Sequence, residues 1–336
     1  MFKNILVATD MVTRTDASVL TAIDIARQYQ TELNVLHVLE SASTDNREQI
    51  KHYKTDDEIM VYPGYFETVA SELQNTYKTI LNGFNSVKFT IETGFPWEEI
   101  LRVAREVDTD LIILGPHSRQ AEKKGVVRVA GKIGSTVQGV VARENCPVMI
   151  VNKIVPKEKL IFRKIVVGID FSISCECALC FSVKLSRNSN STLYPFFMIP
   201  VPPYPKYTHS CYKTDKEVLK QKLQDFCDLY LDGTDHEYKI WGGVLPHQEV
   251  LKCARNIDAD LIILGSHTKM SAGKWYAGSV VERVSFRADC PVLAVNDPKA
   301  LKKWEDIQIP ASNGEHTVDR SIHLSIENSE KRACKH

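Results

Sequence analysis

Two aspartates and two glycine-serine pairs recur in this chain at places where they could hold a phosphorylated ligand. Asp10 closes the apolar run Asn4-Ile-Leu-Val-Ala-Thr-Asp10, and Asp170 closes Lys164-Ile-Val-Val-Gly-Ile-Asp170. Gly115 and Gly265 end the apolar runs Leu111–Leu114 and Leu261–Leu264, while Gly134-Ser135 and Gly278-Ser279 precede stretches with helical periodicity. A helix start with unpaired amides, a hydroxyl beside it and no side chain on glycine suits a phosphate. A carboxylate on the opposite side can accept hydrogen bonds from a ribose or a base. The same residues have a plainer use, in which aspartate closes a strand turn and Gly-Ser caps a helix.

Other chemistry is weaker. The stretch Gly125-Val-Val-Arg-Val-Ala-Gly-Lys-Ile133 superficially resembles a phosphate loop, yet its glycines are one residue too far apart, and Ile133 stands where a Mg²⁺-binding hydroxyl is needed. No spaced glycine triplet follows either first strand, which argues against a dinucleotide-dependent dehydrogenase. In Cys175-Glu-Cys177-Ala-Leu-Cys180, Cys177 and Cys180 share a helix face, and with Cys211, His209, Cys227 or Cys253 they could complete a zinc site. Small apolar packing is the alternative for these thiols, because no second ligand pair has a convincing spacing. His37, His117, His247 and His267 stand singly, with His117 and His267 at equivalent loop positions. Near the glycine loops there is no evident general base, Mg²⁺ cluster or activated nucleophile, which argues for binding over turnover.

The elements that must position these residues come in two copies. Pro96–Gly115 and Pro246–Gly265 match at 12 of 20 positions without a gap, offset by 150 residues. That period is too long for a solenoid and suits a whole domain. Each copy opens with a continuous apolar run, the mark of a strand buried on both faces of a parallel sheet. Helices follow over Thr15–Gln28 and Ser174–Ser186, second strands over Leu33–Leu39 and Thr192–Ile199, and helices again near Phe66–Leu81 and Lys216–Leu231. Third strands, Val87–Glu92 and His236–Trp241, alternate polar and apolar residues as half-exposed strands do. The copied segment adds a helix and a strand, and the last strands are Val148–Val151 and Val292–Val295. The series implies an α/β fold of two repeated, open, parallel, five-stranded doubly wound sheets, Rossmann-like in kind. We place the first domain at 1–152, a linker at 153–162, the second domain at 163–296 and a polar, disordered tail at 297–336. The long connection Ser41–Tyr62 reads as either a lid or a disordered segment.

Composition narrows the partners. With 42 basic and 42 acidic side chains no overall field favours nucleic acid or an anionic membrane. No apolar run reaches the roughly 20 residues of a membrane span, and Met1–Asp10 turns polar too soon for a signal peptide, so a cytoplasmic protein is expected. Nine cysteines without regular spacing fit reduced thiols.

On these residues the chain resembles a tandem universal stress protein. The family signature is Gly-x-x-Gly, nine residues, then Gly-(Ser/Thr), after the fourth strand, with an aspartate after the first. Gly265-Ser-His-Thr268, nine residues and Gly278-Ser279 match its spacing, with Thr268 in place of the second glycine. In the first half Gly115-Pro-His-Ser118 begins the loop, and Gly134-Ser135 comes six residues late, with Gly125 a candidate for the middle role. Asn145-Cys-Pro-Val and Asp289-Cys-Pro-Val lead into the last strands of both halves. The resemblance implies last strands that pair across a dyad, here an intramolecular pseudo-dimer, with further dimerisation left open. It also implies a regulatory role in the stress response and, in many members, an adenine nucleotide. ATP or ADP in at least one half is expected, on Asp170, Gly265, Thr268, Gly278 and Ser279 or on Asp10, Gly115, Gly134 and Ser135. No metal site is expected. Alternatives are an interaction protein whose pockets stay empty and that docks onto protein partners, and a weak ATPase.

Overall fold

The structure, a computed structural model, describes residues 2–11, 16–41, 49–55, 57–116, 133–201, 209–266, 269–271, 274–276 and 278–296. Thr268, His117, His267, the segment 125–132 and the tail 297–336 lie outside the described residues. The first half runs β1 (Asn4–Ala8), α1 (Ala17–Tyr29), β2 (Glu32–Glu40), β3 (Gln49–Lys51), β4 (Glu58–Met60), α2 (Tyr65–Tyr77), β5 (Val87–Gly94), α3 (Pro96–Glu106), β6 (Leu111–Leu114), α4 (Ser135–Arg143) and β7 (Val148–Ile150). The second runs β8 (Lys164–Gly168), α5 (Ile173–Ser189), β9 (Thr192–Pro200), α6 (His209–Leu231), β10 (Lys239–Gly243), α7 (Pro246–Ile257), β11 (Leu261–Gly265), β12 (Lys269–Ser271), β13 (Lys274–Tyr276), α8 (Ser279–Arg287) and β14 (Val292–Val295).

Ten of the strands form one sheet in the order β5-β2-β1-β6-β7-β14-β11-β8-β9-β10. Within each half every pairing is parallel, and the order is the same in both. The halves meet where β7 runs antiparallel to β14, with Val148 opposite Ala294, Met149 opposite Leu293 and Ile150 opposite Val292. This is the expected pairing of last strands across a dyad, and it leaves neither strand with an open edge.

Alternation along each strand feeds two apolar layers. Ile5 and Val7 face the side of α1 and α5 together with Ile165, Val167, Met149 and Leu293. Leu6 faces the side of α3, α4, α7 and α8 with Ile112, Val148, Val166 and Val292. Both layers cross the joint, so the two halves share one core. Local signals set the helix starts. Asp16 accepts from the Ser18 amide before α1, Ser172 accepts from the Cys175 amide before α5, and Pro96 and Pro246 open α3 and α7. Among the described residues no helix is long and apolar enough to cross a membrane.

Three connections differ from a bare alternation of strands and helices. Within Ser41–Tyr62, β3 and β4 form an antiparallel ribbon whose Ile50 is buried against Leu39, Tyr65 and Val69 beside the end of β2. Between the halves, Lys157–Ile161 forms a short 3₁₀ turn with Leu160 and Phe162 buried. Lys157 there pairs with Asp24 of α1 at 3.0 Å and Lys159 with Asp258 at 2.5 Å, so the connection is bonded to both sides. After β11, β12 and β13 form a hairpin, and β13 lies against α4 of the other half.

Candidate functional site

Strand order reverses between β1 and β6 in the first half and between β8 and β11 in the second. Ligands of open parallel sheets sit beyond the carboxyl ends of the strands at such reversals. Parallel register pairs Val7 with Ile113 and Gly168 with Leu264, which puts Asp10 with Gly115, and Asp170 with Gly265, on that edge. The Gly134 amide donates to the Pro116 carbonyl at 2.8 Å and so returns the start of α4 to the end of β6. Gly134 and Gly278 are the N-caps of α4 and α8, and neither offers a side-chain acceptor to the first turn. Ser135 and Ser279, the first helical residues, are exposed. Both helices therefore present first-turn amides and a positive dipole end without a capping carboxylate or hydroxyl.

The aspartates are set by the same turn in both halves. Met11 and Phe171, each following its aspartate, have φ of 58° and 62°, a left-handed conformation that bulky side chains rarely adopt. Asp170 also serves the fold: its Oδ1 accepts from the Ser172 amide at 3.0 Å and the Ser172 hydroxyl at 2.5 Å, and Ser172 then caps α5. The plainer reading of a turn-closing aspartate thus holds for one of its oxygens. Gly265 likewise has a packing reason. A Cβ there would stand 2.5 Å from the Cys175 nitrogen and the Ser174 carbonyl carbon, so the start of α5 requires glycine. Ser266, next in line, is 1% exposed, and its hydroxyl has no hydrogen-bond partner among the described residues. Sequence reasoning passed over Ser266, though its place inside the glycine loop was a signal for it.

Beneath the rim the halves differ. Register pairs Ala8 with Leu36 and Gly168 with Phe196, so Thr9 and His37 correspond to Ile169 and Phe197. Thr9 donates its hydroxyl to Asp16 at 2.9 Å, which makes Tyr77, 2.8 Å away, a donor to Thr9. His37 is buried, and its Nδ1 donates to the Thr9 carbonyl at 2.9 Å. Burial holds this imidazole below its ordinary range, against a smaller upward pull from the Thr9 bond and Asp10. The second half fills the same place with aromatic rings: Phe171 lies 4.9 Å from Phe197 and 5.3 Å from Phe226 between centroids.

The cysteines behave as packing residues. Cys175, Cys177, Cys180, Cys227, Cys253 and Cys290 are buried and form no disulfide, and burial pushes Cys180, Cys227, Cys253 and Cys290 up to about 12. Among the described residues no group of three His, Cys, Asp or Glu side chains is placed to hold a metal. An open depression of about 480 Å³ lies around the turn between α6 and β10, at the opposite edge of the sheet, but its Asp228, Asp232 and Asp235 repel an anionic ligand.

A sequence model of the universal stress protein family matches twice, over residues 1–152 and 161–296. The chain belongs to the universal stress protein family. A universal stress protein of Methanocaldococcus jannaschii is 29% identical over 161 residues, covering 45% of this chain and 91% of that protein. Over most of its length, a universal stress protein structure from Archaeoglobus fulgidus superposes with a TM-score of 0.60 at 19% identity, covering 87% of this chain and 98% of that one. A putative universal stress protein from Pseudomonas aeruginosa superposes at 0.57 with 13% identity, covering 90% and 96%. Nearly the whole archaeal relative thus corresponds to about half of this universal stress protein, as a tandem arrangement requires. The two whole-chain likenesses carry the fold alone.

Proposed function

We propose that this universal stress protein is a cytoplasmic regulatory module of the stress response that binds an adenine nucleotide, ATP or ADP, in at least one half, and senses or stores it without efficient turnover. The observation that carries this is the pair of uncapped helix starts, Gly134 before α4 and Gly278 before α8, each at the edge where strand order reverses beside an aspartate. The phosphates sit at the helix start and the carboxylate of Asp10 or Asp170 takes the ribose. The second half is the better candidate. Its loop keeps the signature spacing, and the Ser266 hydroxyl beside Gly265, without a partner among the described residues, is one that a ligand can engage. The domain division at 152 and 163 belongs to the same reading, with each half carrying its own site.

Isothermal titration of the full chain with ATP and ADP tests it. Saturable heat is the expected result, and it weakens when Asp170 is changed to Ala. At a hundredfold excess over Kd the nucleotide contributes about 2.7 kcal/mol of stability, which raises the melting temperature by several degrees. No heat and no stabilisation with either nucleotide removes the proposal. A second reading, an interaction module with empty pockets, is favoured by the exposed Met60, Tyr62 and Phe66 beside the ribbon of the first half. Recovery of a stable protein partner from stressed cells, lost on Met60→Ser with Tyr62→Ser, supports that reading when no nucleotide binds.

A further inference from the structure

The two halves turn from their second helix into their third strand along the same path, but they furnish that turn differently. Leu81 and Leu231 are buried at its start, Gly83 and Gly233 take left-handed φ of 77° and 68°, and the next amide donates back to the leucine carbonyl, Phe84 at 2.7 Å and Thr234 at 2.9 Å. Arg27 of α1 and Arg187 of α5 donate to the carbonyls of Asn82 and Asp232 at 3.1 and 3.2 Å. The backbone is therefore equivalent residue by residue. In the first half the Phe84 ring packs against the core, and the Arg27 guanidinium lies 5.9 Å from its centre. Thr234 stands in place of that ring and lines the open depression of about 480 Å³.

Charge changes together with shape. Lys78 and Asn82 correspond to Asp228 and Asp232, three residues before and one after the buried leucine. Ser86 corresponds to Asp235, because their carbonyls accept from the equivalent Leu33 and Leu193 amides. Three carboxylates thus line the depression where the first half has a lysine and two neutral side chains. None of the three has an ion pair among the described residues. Asp228 has one oxygen committed to the Tyr238 hydroxyl, and Asp235 has one committed to the Thr192 hydroxyl at 2.6 Å. A second sign does not depend on charge. Thr234 is 9% exposed, and its hydroxyl has no hydrogen-bond partner among the described residues. Its carbonyl is engaged, accepting from His236 Nδ1 at 2.8 Å.

The arrangement selects among cations. Among the described residues no three such side chains are placed to hold a metal, so the carboxylates suit an organic cation that spans them. A guanidinium fork pairs best with both oxygens of one carboxylate, and two of the three acids have only one to offer. An ammonium group can divide its three donors among single oxygens.

We propose that this depression, at the amino ends of the strands and away from the rim, binds an alkylammonium group, with Asp228, Asp232 and Asp235 supplying the charge and the Thr234 hydroxyl a further acceptor.

Isothermal titration of the full chain with spermidine at constant ionic strength tests this, while nuclear magnetic resonance of histidine-labelled protein locates the ligand. Saturable heat is expected, with a saturable shift of the His236 signal, assigned by its loss in His236→Gln. Asp232→Asn with Asp235→Asn keeps an acceptor at both positions and should weaken spermidine by about tenfold or more, the loss of charge-assisted bonds. Thr234→Phe restores the ring of the first half without changing a charge and should abolish binding, which a mere attraction to surface charge would survive. A lysine-containing peptide that binds tighter than spermidine assigns the ammonium to a protein partner, and equal or weaker binding assigns a free amine; both support the site. No saturable response, one that sodium or magnesium ions reproduce, or one unchanged in the double Asn variant or in Thr234→Phe overturns it. Stabilisation by ATP reads the rim and should persist in these variants, so the two sites succeed or fail separately.

Discussion

His37 lies under the rim of the first half with Nδ1 committed to the Thr9 carbonyl and Nε2 buried without a partner among the described residues. Its pKa is lowered from the ordinary 6.5, chiefly by burial, so the unfolded chain takes up this proton at a higher pH than the folded one does. The neutral imidazole therefore contributes stability that is fully present above pH 6.5. That contribution is lost as pH falls from there towards the lower folded value. His37→Phe, which installs the ring that Phe197 provides in the other half, should flatten the acid side of the stability profile. Urea unfolding at a series of pH values below 7 reads this directly, and equal acid sensitivity in both proteins would contradict it. At this scale the sequence was only partly legible. Asp10, Asp170 and the Gly-Ser pairs stood out because their spacing repeats. The packing reason for Gly265 did not, because the atoms that exclude a side chain belong to Ser174 and Cys175, ninety residues earlier.

Among the elements, α8 is the most informative. A glycine N-cap leaves its first turn uncapped, which weakens the helix and suits an anion. Gly278→Asp separates those two consequences. An aspartate cap accepts from the first-turn amides and complements the dipole, adding about 0.5–1 kcal/mol to the nucleotide-free protein. The same carboxylate repels a phosphate, so the gain in melting temperature on adding ATP should vanish. Thermal unfolding with and without nucleotide checks both signs, and a variant that keeps its ATP-induced gain would place the phosphate elsewhere. Long elements were readable because each carries its own periodicity. The pairs β3–β4 and β12–β13 were not, since three-residue strands are too short to show alternation.

For the whole molecule the decisive contact lies on the pseudo-dyad. Gln138 and Glu282 each stand four residues past their helix-starting glycine, and the Gln138 amide donates to the Glu282 carboxylate across the joint. Asn152 also crosses to the Phe286 carbonyl at 2.8 Å, and Asn296 crosses to that of Val141. An amide facing a carboxylate suits the pairing of unlike halves, whereas Glu282 facing a second copy of itself would set like charges together. Gln138→Glu should reproduce that repulsion inside one chain. It should cost about 1–3 kcal/mol at neutral pH and recover part of this at acidic pH as the carboxylate pair shares a proton. Calorimetry should show one transition for the native chain, because both apolar layers run through the joint. Two separate transitions in the native protein would show that the halves unfold independently.

The amino-acid sequence alone determined the α/β class, the duplication, the strand and helix order and the residues that gather at the edge where strand order reverses. Those depend on apolar runs, helix periodicity and caps, all of which act within a few neighbours. Only the tertiary structure decided the residue register in which β7 meets β14, that rings at Phe171 and Phe197 fill in the second half the place that polar Thr9 and His37 hold in the first, and that Gln138 meets Glu282 across the joint. These outcomes hang on contacts between residues far apart in the chain, where close packing and charge, and no local pattern, settle which groups meet.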